Sequence, residues 1–186
     1  MDAMEVIRAR RSIRTYQATP VNRELLNRLV EAATLAPNAM NEQAWSFTIV
    51  TDRQLLLDIS HSAKAHLLVD LAQGPHIDHM RSTLSDPRFE IFHGAPALIV
   101  ISAPKHLQWA VEDCALAAEN LMLAAQAQGI GTCWIGFAQT WLNTPEGRAA
   151  IHLEDALLAV APIIVGYPKE TPAAVPRRTP QVHWIE

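Results

Sequence analysis

The chain has 186 residues, of which 49% are hydrophobic and 18% are charged. This balance is typical of a globular domain and is too apolar for a disordered chain. The formal charge of −4 argues against a nucleic-acid partner, which needs a broad basic face, and the apolar runs are too short or too polar to span a bilayer. We therefore predict a single cytoplasmic domain over residues 1–186, without a signal peptide, a membrane segment or a metal site.

The first elements of the chain are predicted from helix caps and apolar spacing. Asp2, with a glutamate three positions later, predicts a capped helix over residues 2–9. Apolar residues at helical spacing predict a second helix over residues 22–36, which ends before Pro37. The run SFTIV at residues 46–50 is typical of a strand.

The next part of the chain is less regular. Asp52 is placed to cap a helix that runs towards His61. Residues 61–92 mix helix and turn signals, with breaks predicted at residues 73–76 and 85–88. This segment is therefore predicted to be interrupted.

A buried strand and a long helix follow. The run PALIVISA at residues 96–103 is rich in β-branched residues and predicts a central strand. Residues 109–128 form the longest helical pattern and are alanine-rich on almost every side, with Gly129 placed to end the helix as a C′ glycine. A helix so apolar must be buried, and its small alanines favour close contact with a partner subunit.

Two further strands, a helix and a tail complete the chain. The runs at residues 132–136 and 157–166 predict strands. Between them, Thr144 followed by proline predicts the start of a helix. Residues 168–186 are rich in proline and predict an extended arm that ends in the short apolar run VHWI.

Residues 10–17, RRSIRTYQ, place three arginines and a serine within five positions. Arg10, Arg11, Ser12 and Arg14 follow a predicted helix, and guanidinium groups beside a hydroxyl are suited to bind a compact anion such as a phosphate monoester. Taken alone, the cluster is explained equally well by a solvated basic turn or by favourable charge at a helix C-terminus.

Three segments taken together favour the binding interpretation. They are RRSIRTY at residues 10–16, APNAMNEQAWSF at residues 36–47 and GIGTCWIG at residues 129–136. In this order they resemble the motifs of the nitroreductase family of FMN-dependent flavoproteins. The tail is similar to the C-terminal arm of that family, so the resemblance covers essentially the whole chain.

The resemblance implies that the first segment binds FMN. By position, Arg10 and Ser12 contact the phosphate, Arg11 belongs to the same cluster, and Arg14 reaches the pyrimidine edge of the flavin near N1 and O2. A positive charge at that edge stabilises the reduced flavin and so favours acceptance of hydride. The anion that the cluster holds is then the FMN phosphate.

The second segment is implied to come from the other subunit of a homodimer. The residues implied to line the ribityl chain and the dimer face of the ring are Pro37, Asn38, Ala39 and Asn41. Gln43 and Trp45 brace this loop. Asn38 stands where serine is common in the family, and Ala44 replaces the usual proline. Without the family context, a plain helix-ending loop with Trp45 in the core remains the alternative.

The third segment is implied to lie against the flavin ring. An amide N–H within Gly131, Thr132 and Cys133 is expected near the flavin N5, and the glycines permit that close approach. A helix cap that leads into a strand explains the same glycines, and the two interpretations are compatible. Cys133 is expected to pack in the core, because no histidine of the motif activates it.

The arm and the overall fold follow from the same resemblance. Arg178 matches the arm arginine that closes over the phosphate, and VHWI is expected to add an edge strand to the partner's sheet. The implied fold is α+β, with a central mixed, mainly antiparallel sheet flanked by helices and the arm at residues 168–186 exchanged between subunits.

The implied activity is a ping-pong reaction with two FMN sites at the dimer interface. NAD(P)H reduces the flavin, and a small electron-poor acceptor such as a nitroaromatic or a quinone is then reduced. Three alternatives stay open: a flavin-consuming or dehalogenating relative with a lid at residues 61–92, a flavin carrier without turnover, and a phosphate-binding module without flavin.

Overall fold

The computed structural model describes residues 2–70 and 75–186. The helices are α1 (Ala3–Ala9), α2 (Arg23–Thr34), α3 (Arg53–Asp70), α4 (Pro75–Ser85), α5 (Ala110–Ala127), α6 (Gly136–Leu142) and α7 (Pro145–Ala150). The strands are β1 (Ser46–Val50), β2 (Ala97–Pro104), β3 (Gly131–Trp134) and β4 (Leu157–Gly166). Within the described ranges, no helix combines the length and the apolar character needed to cross a bilayer.

The four strands form one sheet in the order β1-β2-β4-β3, and each neighbouring pair is antiparallel. Among the described residues, parallel pairing is confined to an isolated bridge between Ser12 and Thr132 beside β3. The predicted α+β fold with a mainly antiparallel sheet is confirmed. The central position predicted for residues 96–103 is also confirmed, because β2 lies between β1 and β4.

Strand β2 is buried on both faces and separates two hydrophobic clusters. Ile99 and Ile101 point into the cluster that contains the apolar residues of α2 and α5. Leu98 and Val100 point into the second cluster, with apolar residues of α3 and α6, because successive side chains of a strand alternate between faces. Each such side chain contributes about 1.5–3 kcal/mol when it is fully buried. The sheet is therefore the middle layer of three.

Helix α5 has the buried character that its composition predicts. Seven of its residues are buried against α2 and the sheet. Its C-terminus forms a Schellman motif, in which Ile130 N–H donates to Ala125 C=O at 2.9 Å and Gly129 N–H donates to Gln126 C=O at 3.1 Å. Gly129 has a φ of 72°, so the predicted C′ glycine is confirmed.

Three other expectations have different outcomes. Asp52 does cap α3, since its Oδ1 accepts from Leu55 N–H at 2.8 Å, but the helix continues to Asp70 rather than ending near His61. The break predicted at residues 85–88 is confirmed by the end of α4. The break predicted at residues 73–76 falls partly on residues 71–74, outside the described residues. Helix α6 was not predicted.

The short strand β3 leaves part of the β4 edge without a neighbouring strand. Beyond the β3 pairing, Ile135 N–H donates to Pro162 C=O at 2.8 Å, and a proline has no N–H that needs a partner. Asn143, at the end of α6, accepts from Ala159 N–H at 3.0 Å and donates to Ala159 C=O at 2.9 Å. The side-chain amide of Asn143 therefore takes the place of a strand residue.

The substitution Asn143→Ala is expected to lower the free energy of unfolding by about 2–4 kcal/mol, because it leaves two buried backbone groups of Ala159 without partners. Urea unfolding, read as a shift of the midpoint at constant slope, measures the loss. Asn120→Ala serves as the matched control, since the Asn120 amide makes one long contact of 3.4 Å to Ala32 C=O. Equal losses in the two variants would contradict the role given to Asn143.

Candidate functional site

The arginine segment is held against the edge of the sheet. After α1 the chain runs beside β3, where Ser12 bridges Thr132 and Ile13 N–H donates to Thr132 C=O at 3.0 Å. Gly131 allows this approach, because a Cβ at that position would lie 2.8 Å from Ile13 Cγ1. The structure thus brings the first and third motif segments together.

The arginines open into a cleft of about 650 Å³, within the size range of sites for small molecules and cofactors. Five guanidinium groups and one carboxylate occur among the described residues that line it, so the cleft is strongly cationic in a chain of net negative charge. The lining residues are Ile7, Arg8, Arg10, Arg11, Ser12, Arg14, Glu119, Pro172, Ala173, Ala174, Val175 and Arg177.

Two of these guanidinium groups have buried nitrogens without a hydrogen bond. Arg11 Nη1 donates to Arg8 C=O at 2.6 Å and to Arg10 C=O at 2.7 Å. The Nε of the same guanidinium is buried and has no hydrogen-bond partner among the described residues. Arg10 Nε lies 3.3 Å from Glu119 Oε1 as an ion pair, but it likewise lacks a hydrogen bond. Unsatisfied cationic donors beside a cleft fit an anionic ligand.

Arg14 is exposed at one side of the cleft and acts electrostatically on three neighbours. Burial, together with the positive charge of Arg14, lowers the pKa of the half-buried His93. Burial raises the pKa of Tyr16 well above its usual value, and Arg14 opposes that shift. The Tyr16 hydroxyl donates to Ile13 C=O at 2.8 Å. It therefore fixes the backbone next to Arg14.

The two cysteines are buried and free. Burial raises the pKa of Cys133, against a smaller lowering by Arg14 and by a hydrogen bond from Ser12. Burial, with a contribution from the charge of Asp113, raises the pKa of Cys114 to about 12. Both thiols are therefore protonated near neutral pH, which agrees with a packing role and not with a nucleophile.

The second motif segment lies away from this cleft. None of the described residues of the 38–43 loop, Asn38–Gln43, lines the cleft of its own chain. Together with Leu107, Gln108, Trp109 and Asp113 at the start of α5, residues of the loop line a separate cavity of about 210 Å³. One chain alone does not bring Pro37, Asn38, Ala39 and Asn41 to the arginines.

The 38–43 loop has an unusual backbone. Met40, Asn41 and Gln43 have φ values of 54°, 54° and 50°, in the left-handed region that costs a non-glycine residue about 1–3 kcal/mol. Asn38 Oδ1 accepts from Gln43 N–H at 2.9 Å, and Gln43 Nε2 donates to Asn41 Oδ1 at 3.0 Å. Ala39 N–H donates to Asp113 Oδ1 at 2.9 Å. Hydrogen bonds therefore compensate the strained backbone.

The C-terminal arm crosses the cleft and then runs into solvent. Residues 172–175 and Arg177 line the cleft, whereas Arg178 is exposed and does not line it. Further along, Trp184 and Ile185 are 83% and 99% exposed. In a single chain, Arg177 is therefore the arm arginine at the cleft, and the role expected of Arg178 stays a prediction.

Sequence reasoning did not identify four residues around the site. Arg8 lies at the end of α1, and its charge beside the motif was a usable signal. Glu119, Asp113 and His93 approach the site from distant parts of the chain, and no local spacing marks them. Glu119 pairs with Arg10, Asp113 accepts from Ala39 N–H, and burial and the charge of Arg14 lower the pKa of His93.

Comparisons with known proteins show the family to which the chain is similar. The sequence model of the Nitroreductase family matches residues 7–167. A protein of Methanothermobacter thermautotrophicus, provisionally named NADH dehydrogenase/NAD(P)H nitroreductase, is 29% identical over 92% of this chain and 80% of its own length. A 4-nitrobenzoate reductase of Pseudomonas putida is 28% identical over 95% of this chain and 89% of its own length.

A solved structure gives the same result for the fold. The crystal structure of a nitroreductase from Bacteroides fragilis with bound FMN superposes with a TM-score of 0.83 and 28% identity, and the match covers 100% of both chains. The whole chain therefore has the fold of that flavoprotein.

The close approach of Gly131 to Ile13 makes a specific prediction. Gly131→Ala places a methyl group within 3 Å of three Ile13 carbon atoms, and we expect it to lower the free energy of unfolding by about 1–3 kcal/mol through overpacking. Gly136→Ala is the matched control, because its added Cβ would meet nothing within 4 Å beyond its chain neighbours and the backbone of its own helix. Chemical unfolding of both variants measures the difference, and equal stabilities would contradict the proposed contact.

Proposed function

The chain belongs to the nitroreductase family, and on that premise we propose that it is an FMN-dependent NAD(P)H oxidoreductase that reduces nitroaromatics, quinones or similar electron-poor acceptors. The observation that carries the proposal is the cationic cleft, whose arginine segment is joined directly to the Gly131–Cys133 stretch. The named relatives and the FMN-bound neighbour in the same fold support the same activity.

The cleft supplies groups that suit the FMN phosphate. Arg10, Arg11 and Ser12 present guanidinium and hydroxyl donors, and the buried Nε of Arg11 needs an acceptor. Arg177 lines the cleft from the arm side, and the neighbouring Arg178 is proposed to reach the phosphate in the dimer. Since bidentate pairing with phosphate is a property of the guanidinium group, arginine is better suited than lysine to each of these positions.

The rest of the site suits the flavin ring. When bound, FMN supplies the two-electron chemistry that links NAD(P)H to the acceptor. Arg14 provides positive charge at the pyrimidine edge. Gly131, Thr132 and Cys133 are buried and do not line the cleft of a single chain; they hold Ser12 and Ile13 at the edge of the sheet, and an amide of this stretch near the flavin N5 is part of the proposal. The protonated thiols take no part in the chemistry. The contribution of the protein is therefore positioning and electrostatics.

The active unit is proposed to be a homodimer with FMN at the subunit interface. The 38–43 loop lies outside the cleft of its own chain, as a loop that serves the partner's cleft must. Exposed apolar residues on α1 and α5, such as Ile7 and Leu116, and the arm residue Trp184 offer surface for a second copy. The proposed location is the cytoplasm, where NAD(P)H is available.

An anaerobic absorption spectrum tests the activity. The purified protein, reconstituted with FMN, is expected to be yellow and to bleach on addition of NADH or NADPH, and a nitroaromatic or a quinone should restore the colour. A flavin that neither nucleotide bleaches would indicate a carrier, and loss of flavin in oxygen would indicate a flavin-consuming relative. Failure to bind FMN would overturn the proposal.

Arg14→Ala tests the electrostatic role of one residue. We expect it to weaken FMN binding about tenfold, the effect of losing one charge-assisted contact, and to slow flavin reduction. Arg23→Ala changes the net charge equally at an exposed position outside the cleft and should leave both quantities unchanged. Titration of flavin fluorescence and stopped-flow reduction give the two values; identical results for the variants would contradict the role of Arg14.

A further inference from the structure

We propose that Asp113 is a positioning residue that sets the conformation of the 38–43 loop, and that the loop held in this way completes the FMN cleft of the partner subunit. This inference rests on the proposed function, because it assigns a task to a residue outside the cleft. It does not assign Asp113 any contact with the cofactor.

The contact between loop and helix is specific. Among the hydrogen bonds of the described residues, the one from Ala39 N–H to Asp113 Oδ1 joins the loop to another element, and the others close within the loop. Asp113 lies in the first turns of α5, and α5 is buried against α2 and the sheet. The acceptor therefore belongs to a helix that is packed into the core of the fold.

The loop needs such an anchor. Three of its residues have positive φ values, and Met40 has 87% of its surface exposed, so side-chain packing does not hold it in place. A strained backbone persists when the surrounding contacts over-determine it. Without the carboxylate of Asp113, the hydrogen bonds that remain join loop residues to one another, so they would not fix the position of the loop relative to the rest of the fold.

Helix α5 also contacts the cleft of its own chain. Glu119, within two turns of Asp113, forms the ion pair with Arg10 at 3.3 Å. One helix therefore fixes the distance between the arginines of its own cleft and the 38–43 loop, which lies outside that cleft. In a two-fold dimer, both subunits use the same surface in the interface. The distance between loop and arginines therefore sets where the loop of one subunit meets the cleft of the other.

The experiment compares three variants of the full-length protein. Asp113→Ala removes the acceptor, and Asp113→Asn keeps an oxygen that can accept from Ala39 N–H. Glu112→Ala is the matched control, since this exposed acidic neighbour on the same helical turn makes no hydrogen bond to the loop. It reproduces the loss of negative charge near the N-terminus of α5.

Two readouts separate positioning from general stability. The first is the rate at which a glutamate-specific protease cleaves the apo-protein after Glu42, at a temperature well below unfolding of every variant. The second is the dissociation constant of FMN, with the KM for the acceptor and kcat as further values. We expect Asp113→Ala to be cleaved at least about tenfold faster and to bind FMN about tenfold more weakly, the effect of one lost hydrogen bond to a charged group.

The outcomes test the positioning role of Asp113 and the proposed function separately. Asp113→Asn should restore both values to within about threefold of the wild type, and Glu112→Ala should match the wild type. If the wild type binds FMN and Asp113→Ala behaves like Glu112→Ala, the positioning role is wrong while the proposed function stands. If the wild type does not bind FMN but cleavage after Glu42 still accelerates, the anchor is real and the proposed function fails.

Discussion

The antiparallel pairing of β2 with β4 is the interaction on which the other elements depend. Both strands lie inside the sheet, and their side chains alternate between two hydrophobic clusters. Every helix that packs on the sheet must cover one cluster or the other, which places α2 and α5 on one side and α3 and α6 on the opposite side. The site is then built at the β3 edge, where the arginine segment attaches to the sheet.

This arrangement explains how a chain with net negative charge builds a cationic cleft. The arginines come from the last turn of α1 and the short segment that follows it, together with Arg177 from the far end of the chain, in a chain whose acidic residues outnumber its basic ones. Local electrostatics at the cleft is set by these few groups, because charges beyond about 10 Å are screened at ordinary ionic strength. Glu119 offsets only a part of the positive charge and holds Arg10 in place.

Much of the fold follows from local signals in the sequence. The caps predicted at Asp2 and Thr144 have the side-chain hydrogen bonds expected of them. The strand at residues 157–166 has the predicted limits. Helix α6 was not predicted because it is one of the shortest helices and starts at Gly136 without a side-chain cap. For the same reason the strand predicted over residues 132–136 extends two residues beyond the end of β3 at Trp134. Helix α3 passes His61 because its burial against α6 outweighs weak local preference.

The site was less accessible to such reasoning. The motif resemblance located the arginines and the Gly131 stretch, and the structure places these side by side. Glu119, which pairs with Arg10, and Asp113, which accepts from Ala39 N–H of the 38–43 loop, are both contributed by α5 from far along the chain, and sequence spacing carries no information on such contacts. In the arm, Arg177 and Arg178 are adjacent and both exposed, and sequence spacing does not distinguish which of them serves the cleft.

The treatment of the β4 edge has a consequence for solubility. A strand edge with free N–H and C=O groups is a template on which another chain can add, and aggregation often begins there. Beyond the end of β3, Pro162 offers no donor, and the amide of Asn143 occupies both groups of Ala159. The sequence of β4, LLAVAPIIVG, is apolar. A single side chain from a short helix thus protects it against self-association each time the protein folds.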